Sequence, residues 1–96
     1  MSALLEEIVT ELNTRLGETS FDGTAKLAIE GEGAVVMSGD SAEISDGEAD
    51  VTLSADAETV RAIFDKDLDP TSAFMSGKLT VDGDMGLAMQ LASVLS

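Results

Sequence analysis

In Thr24-Ala25-Lys26-Leu27-Ala28-Ile29-Glu30, Ala25, Leu27 and Ile29 fall on one face and Thr24, Lys26, Ala28 and Glu30 on the other. A period of two predicts a strand with one buried face. Upstream the period is different. Leu5, Ile8, Val9, Leu12 and Leu16 recur at helical spacing, with Ser2 as a candidate cap, Glu6 and Glu7 near the positive end, and Gly17 as the stop. A helix that hands over to a strand in this way marks an α+β chain.

Downstream, Glu30-Gly31-Glu32-Gly33 turns the chain, and short strands are expected around 34–38 and 42–45 with Gly39-Asp40 between them. Asp46-Gly47 makes a further turn before Ala49, Val51, Leu53 and Ala55 alternate again. Four strands joined so tightly predict an antiparallel meander. After Ala55 the helical period returns, with Asp56 as cap and Val60, Ile63 and Phe64 on one face of a helix ending near Asp65. Asp69-Pro70 reads as a cap followed by proline at the first helical position, opening a short helix through Met75 that Gly77 stops. Lys78, Leu79, Thr80, Val81 and Asp82 alternate as a fifth strand, and Gly83-Asp84 turns into a last helix from Met85 to Leu95. The helical connection between strands four and five is long enough for the two to lie parallel. The expected architecture is one domain over residues 1–96, of order α-β-β-β-β-α-α-β-α, with a five-stranded, mostly antiparallel sheet covered by helices.

Composition narrows the function. The 96 residues have room for one hydrophobic core, and a hydrophobic content of 44% sets the chain apart from disordered acidic tails. No stretch approaches the ~18 consecutive apolar residues of a membrane span. Met1-Ser2-Ala3 lacks the basic start and apolar run of a signal peptide, so a cytoplasmic location is expected. The chain has neither cysteine nor histidine, which removes disulfides, thiolate metal sites, the commonest metal ligand and the usual general base near neutral pH. The net charge is -14, from 19 acidic and 5 basic residues. Arg15, Lys26, Arg61, Lys66 and Lys78 stand isolated among carboxylates. Nucleic acids and anionic membrane surfaces both need clustered cations, so neither is an expected partner. The carboxylates read as a solvated coat, which a salty cytoplasm would screen.

Several constellations resemble sites and fail on detail. Asp65-Lys66-Asp67-Leu68-Asp69 begins like a calcium loop, but the sixth position is Pro70 where glycine is needed and the twelfth is Ser76 where glutamate is needed. Gly31-Glu32-Gly33 lacks a third glycine and precedes a strand, which makes it a hairpin turn and not a phosphate cradle. At the start of the last helix, Asp84 is expected to occupy the free amides itself. Ser76 and Lys78, two apart, read as the boundary of a strand. No catalytic residue, metal site or cofactor is expected, and the chain is read as a non-enzyme. The last helix carries more information. Met85, Leu87, Ala88, Met89, Leu91, Ala92, Val94 and Leu95 leave only Gly86, Gln90 and Ser93 as a polar strip. Such an arc is too wide for a helix with one buried face, so the helix is expected to be buried on two sides by sheet and neighbours, to pair with another subunit, or to line a pocket with its inner face.

Phe74-Met75-Ser76-Gly77-Lys78-Leu79-Thr80-Val81-Asp82-Gly83-Asp84-Met85-Gly86-Leu87-Ala88-Met89 resembles the closing motif of the sterol carrier protein 2 family. The shared features are an aromatic residue, Gly-Lys-Leu with an alternating strand, Gly-Asp, and a helix bearing Leu-Ala, preceded by Asp-Pro. The element order agrees over nearly the whole chain, and residue-level similarity runs from about Ala49 onward. The resemblance implies a sheet covered by helices around an internal hydrophobic tunnel for fatty acids, fatty acyl-CoA, sterols or isoprenoids. It places Phe64, Phe74, Met75, Met85, Leu87, Met89 and Leu91 at the ligand. Eukaryotic members tend to be basic and to end in a peroxisomal tripeptide, whereas this chain is acidic and ends Val94-Leu95-Ser96, which argues against peroxisomal import. The acidic field disfavours the phosphates of acyl-CoA and points to an uncharged or singly charged lipid. The expected function is binding or carriage of an apolar ligand without stable membrane insertion. The alternative is an accessory or dimerisation domain without a usable cavity, meeting a second copy or a larger enzyme partner.

Overall fold

The first helix, α1 (Ala3–Leu16), buries Leu5, Ile8, Leu12 and Leu16 along one stripe, with Glu6 in its first turn and Arg15 in its last. Gly17 ends it, its amide donating to the Asn13 carbonyl at 3.1 Å. The computed structural model describes residues 3–17, 21–39 and 41–95, so the candidate cap Ser2 and the turn residue Asp40 lie outside the described residues.

Five strands follow the expected period: β1 (Phe21–Glu30), β2 (Gly33–Gly39), β3 (Ser41–Ile44), β4 (Val51–Asp56) and, later, β5 (Thr80–Gly83). Ala25, Leu27 and Ile29 of β1 are buried, and Leu27 lies opposite Val35 of β2 on one side and Leu53 of β4 on the other. These residues form a single core with the buried stripe of α1 and the inner faces of α2 (Ala57–Phe64) and α4 (Met85–Leu95). The α3 helix (Pro70–Met75) adds Ala73.

The strand order is β3-β2-β1-β4-β5. The sheet is mixed: the β1–β2, β2–β3 and β4–β5 pairs are antiparallel and the β1–β4 pair is parallel. Two expectations are corrected here. The first four strands are not a simple meander, because β4 leaves β3 and inserts on the far side of β1. Residues 45–50 carry the chain across. Six extended residues reach about 20 Å, and the three strand spacings to be crossed amount to about 14 Å. Asp46 pairs with Lys26 at 2.7 Å on the face of β1 opposite Leu27, and Asp50 receives the Thr24 amide on its carboxylate while its own amide donates to the Thr24 hydroxyl at 3.0 Å. The requirement for a long crossover between parallel strands is met by residues 31–50, with β2 and β3 serving as the crossover.

The second correction concerns β5, which runs antiparallel to β4. The two helices between them are short, about 12 Å for the eight residues of α2, and together they leave and re-enter at the same end of the sheet, where Thr80 lies opposite Ser54. Asp56 caps α2 as expected, its carboxylate accepting from the Thr59 amide at 2.7 Å, and these bonds hold its carboxyl below the usual aspartate range. None of the helices in the described residues is long and apolar enough to cross a membrane.

Candidate functional site

The α4 helix has two apolar faces with different neighbours. Leu91 and Val94 point into the core, and Leu87 packs against it. Met85, Met89 and Ala92, spaced at four and three residues, form a second stripe turned toward α3. The wide arc in the sequence is the sum of these two stripes. Asp84 starts the helix by accepting from the amides of Gly86 at 2.7 Å and Leu87 at 3.2 Å, as expected of a cap. The turn before it is tight. Gly83 has φ +116, and a Cβ there would lie 2.5 Å from the Asp50 carbonyl oxygen, so the place admits only glycine.

Facing α4, α3 opens with Asp69 in the capping position and Pro70 at the helix start, although the Asp69 side chain makes no capping bond. At its other end Gly77, at φ +82, reverses the chain, and the Ala73 carbonyl accepts from the amides of both Lys78 and Leu79. Those two amides are thereby withdrawn from the sheet. For this reason β5 begins at Thr80 and not at Lys78, and Leu79 turns in beneath α3, where it is buried. The Ser76 hydroxyl donates to the Ala73 carbonyl at 3.2 Å, a helix-ending contact.

Between α3 and α4 lies an apolar groove of about 280 Å³, open to solvent. Leu53, Leu79, Val81 and Ala88 form its floor; Pro70, Thr71, Phe74 and Met75 form one wall, and Met85, Met89 and Ala92 the other. None of these residues carries a charge and Thr71 alone is polar. Large apolar side chains are left in water along it: Met75 is 81% exposed, Met89 71%, Met85 51% and Phe74 43%. A surface of this kind can hold hydrocarbon; it presents no titratable group for acid–base work.

Of the residues the sequence placed at a ligand, Phe74, Met75, Met85 and Met89 come together here. Leu91 lies in the core and Leu87 packs beside it, close to Gly23 of β1. Phe64 stands elsewhere, in a cleft between α1 and α2 lined by Leu4, Ile8, Glu7, Glu11, Arg61 and Asp65. The groove also uses Leu53, Pro70, Thr71, Leu79, Val81, Ala88 and Ala92, which the resemblance did not place at the ligand, although Ala88 and Ala92 belong to the wide apolar arc read in the last helix. For Leu79 and Val81 the signal was present, since both are apolar positions in the alternating stretch that opens the last strand. Nothing in a short helical turn indicates which side of Pro70 and Thr71 will face another helix.

The profile of the SCP-2 sterol transfer family matches residues 19–96. The chain belongs to this family. The stretch 74–89 that carries the resemblance supplies Phe74 and Met75 to one groove wall and Met85 and Met89 to the other. Among solved structures of the family's fold, sterol carrier protein 2 like 2 from Aedes aegypti superposes with a TM-score of 0.80 at 25% identity, covering 95% of each chain. A palmitated form of the Aedes aegypti protein SCP2L2 gives 0.77 at 26% identity, covering 99% of this chain and 95% of that one. Hydroxysteroid dehydrogenase-like protein 2 of Danio rerio is 42% identical across 77% of this chain, which spans only 20% of that protein's length.

Proposed function

We propose that this SCP-2 domain binds a fatty acid, sterol or isoprenoid lipid with its hydrocarbon lying in the groove between α3 and α4, and that it performs no chemistry on it. The carrying observation is the uncharged wall that leaves Phe74, Met75, Met85 and Met89 in water. Support comes from the palmitate borne by the related SCP2L2. Methionine has three rotatable bonds and a polarisable sulfur, so the two walls can fold over ligands of different shape and turn the open groove into an internal tunnel. The head group stays at the mouth, where the acidic surface disfavours multiply charged phosphates and leaves an uncharged or singly charged group the better fit. The domain works in this reading in the cytoplasm, taking its ligand without inserting into a bilayer.

Solvent extraction of the purified protein followed by mass spectrometry is expected to release such a lipid. After delipidation, palmitate or cholesterol at about a hundred times its dissociation constant is expected to add about 2.7 kcal/mol of stability. Met89→Asp places a charge in the wall and removes that gain. If no lipid class raises the melting temperature and none is extracted, the reading fails. The same exposed methionines favour a second reading, a contact with another domain or a second copy, which would show as a concentration-dependent mass that Met89→Asp abolishes.

A further inference from the structure

We infer that Met75, Met85 and Met89 form an oxidation site through which hydroperoxides close the groove to lipid; the lipid half of this inference rests on the function proposed above. The chain has no cysteine, tryptophan or tyrosine, so the thioethers of its five methionines are its readily oxidised side chains. Three of them stand on the groove walls and are half or more exposed. Met37 of β2 is fully buried in the core, and Met1 lies outside the described residues. Susceptibility to oxidation follows exposure. The accessible sulfurs of the described chain are therefore gathered on one functional surface.

The reaction needs only a hydroperoxide. A sulfur lone pair attacks one peroxide oxygen, an S–O bond forms as the O–O bond breaks, and the departing oxygen takes the remaining proton. Sulfur loses two electrons and the peroxide gains them, leaving a sulfoxide and water, or a sulfoxide and an alcohol when the oxidant is a lipid hydroperoxide. The product is polar and chiral where the thioether was apolar and flexible. With Thr71 the one polar residue of the lining, a buried sulfoxide oxygen finds almost no donor in the groove. Hydrocarbon would have to be laid against that oxygen, and binding weakens.

The test treats the whole protein with graded hydrogen peroxide and follows each methionine by peptide mass spectrometry. In parallel, binding of cis-parinaric acid and dehydroergosterol is titrated. Met75 and Met89 are expected to gain oxygen first, Met85 next and Met37 last, with probe affinity falling at least about tenfold, equivalent to about 1.4 kcal/mol. Methionine sulfoxide reductases should restore it. In a Met75→Leu, Met85→Leu, Met89→Leu protein, peroxide should leave whatever affinity that protein has unchanged. Simultaneous oxidation of Met37 with the other three overturns the site, and undiminished probe binding by the oxidised protein overturns the gating. If the untreated protein binds neither probe, the lipid reading falls and the gating with it, while the order of oxidation still decides whether the three methionines are a modification site.

Discussion

The guanidinium carbon of Arg15 lies 5.1 Å from the centre of the Phe64 ring, and the same side chain donates from Nη1 to the Val94 carbonyl oxygen at 3.1 Å. One residue of α1 thus ties the end of α2 to the last turn of α4, whose free carbonyls favour a cation. Phe64 is spent on this joint. Arg15→Ala is expected to cost about 1–2 kcal/mol, from the ring contact and the hydrogen bond together, and to lower the melting temperature by several degrees. The measurement is thermal unfolding, with the protection of α4 amides in hydrogen exchange falling more than that of the β1 amides.

Leu91 and Met89 are two residues apart on one helix and should respond in opposite ways. Leu91 is fully buried, so Leu91→Ala removes core contacts and is expected to cost about 2.7–5 kcal/mol. That is a large fraction of the stability of a domain this size, roughly 5–15 kcal/mol. Met89→Ala lies on the exposed stripe and is expected to stay within about 0.5 kcal/mol, with its effect seen in lipid affinity. Urea unfolding beside lipid titration separates the two; equal stability losses would show that α4 is not seated as described.

The carboxyl of Asp56 is held below its ordinary range by hydrogen bonds from Thr59, so its charged form is favoured in the folded state. A lowered folded value means that this contribution is complete above the unfolded value, about 3.9, and is lost as the pH falls through the folded one. The difference in melting temperature between the parent and Asp56→Ala is therefore expected to be full at pH 7 and to shrink below about pH 4. A difference that grows on acidification would contradict the cap.

Fourteen excess negative charges repel one another in the folded chain. Raising potassium chloride from low to molar concentration shortens the Debye length from about 30 Å to about 3 Å and is expected to raise the melting temperature. A flat or falling curve would show that the carboxylates are too well solvated for their repulsion to matter.

Gly83 is expected to tolerate no other residue. Gly83→Ala meets the Asp50 carbonyl and a strained backbone, which costs on the order of 1–3 kcal/mol, and it disturbs the start of α4. A melting temperature unchanged by the substitution would mean that the turn relaxes freely.

Much of this molecule was legible in local pattern. The period-two run at 24–30, the helical stripe from Leu5 to Leu16, the Asp56 and Asp84 caps and the Pro70 helix start all express interactions between residues near in sequence, and each appears in the fold. The wide apolar arc of α4 likewise announced a helix that is apolar on more than one face. Which strands become neighbours was a different matter. Periodicity reports that Val51, Leu53 and Ala55 share a buried face, and it is silent on whether that face lies beside β3 or across the sheet beside β1. That choice was made by long-range contacts, the ladder that sets the buried Ala25, Leu27 and Ile29 beside Val51, Leu53 and Ala55, with the exposed Lys26–Asp46 pair and the reciprocal Thr24–Asp50 bonds along the crossing at 45–50. The division of labour within α4 was decided in the same way. Leu91 and Met89 are both apolar, and only the packing of the helix against sheet and α1 buries the one and leaves the other facing α3, because a side chain's environment depends on what stands opposite it and not on its own hydrophobicity.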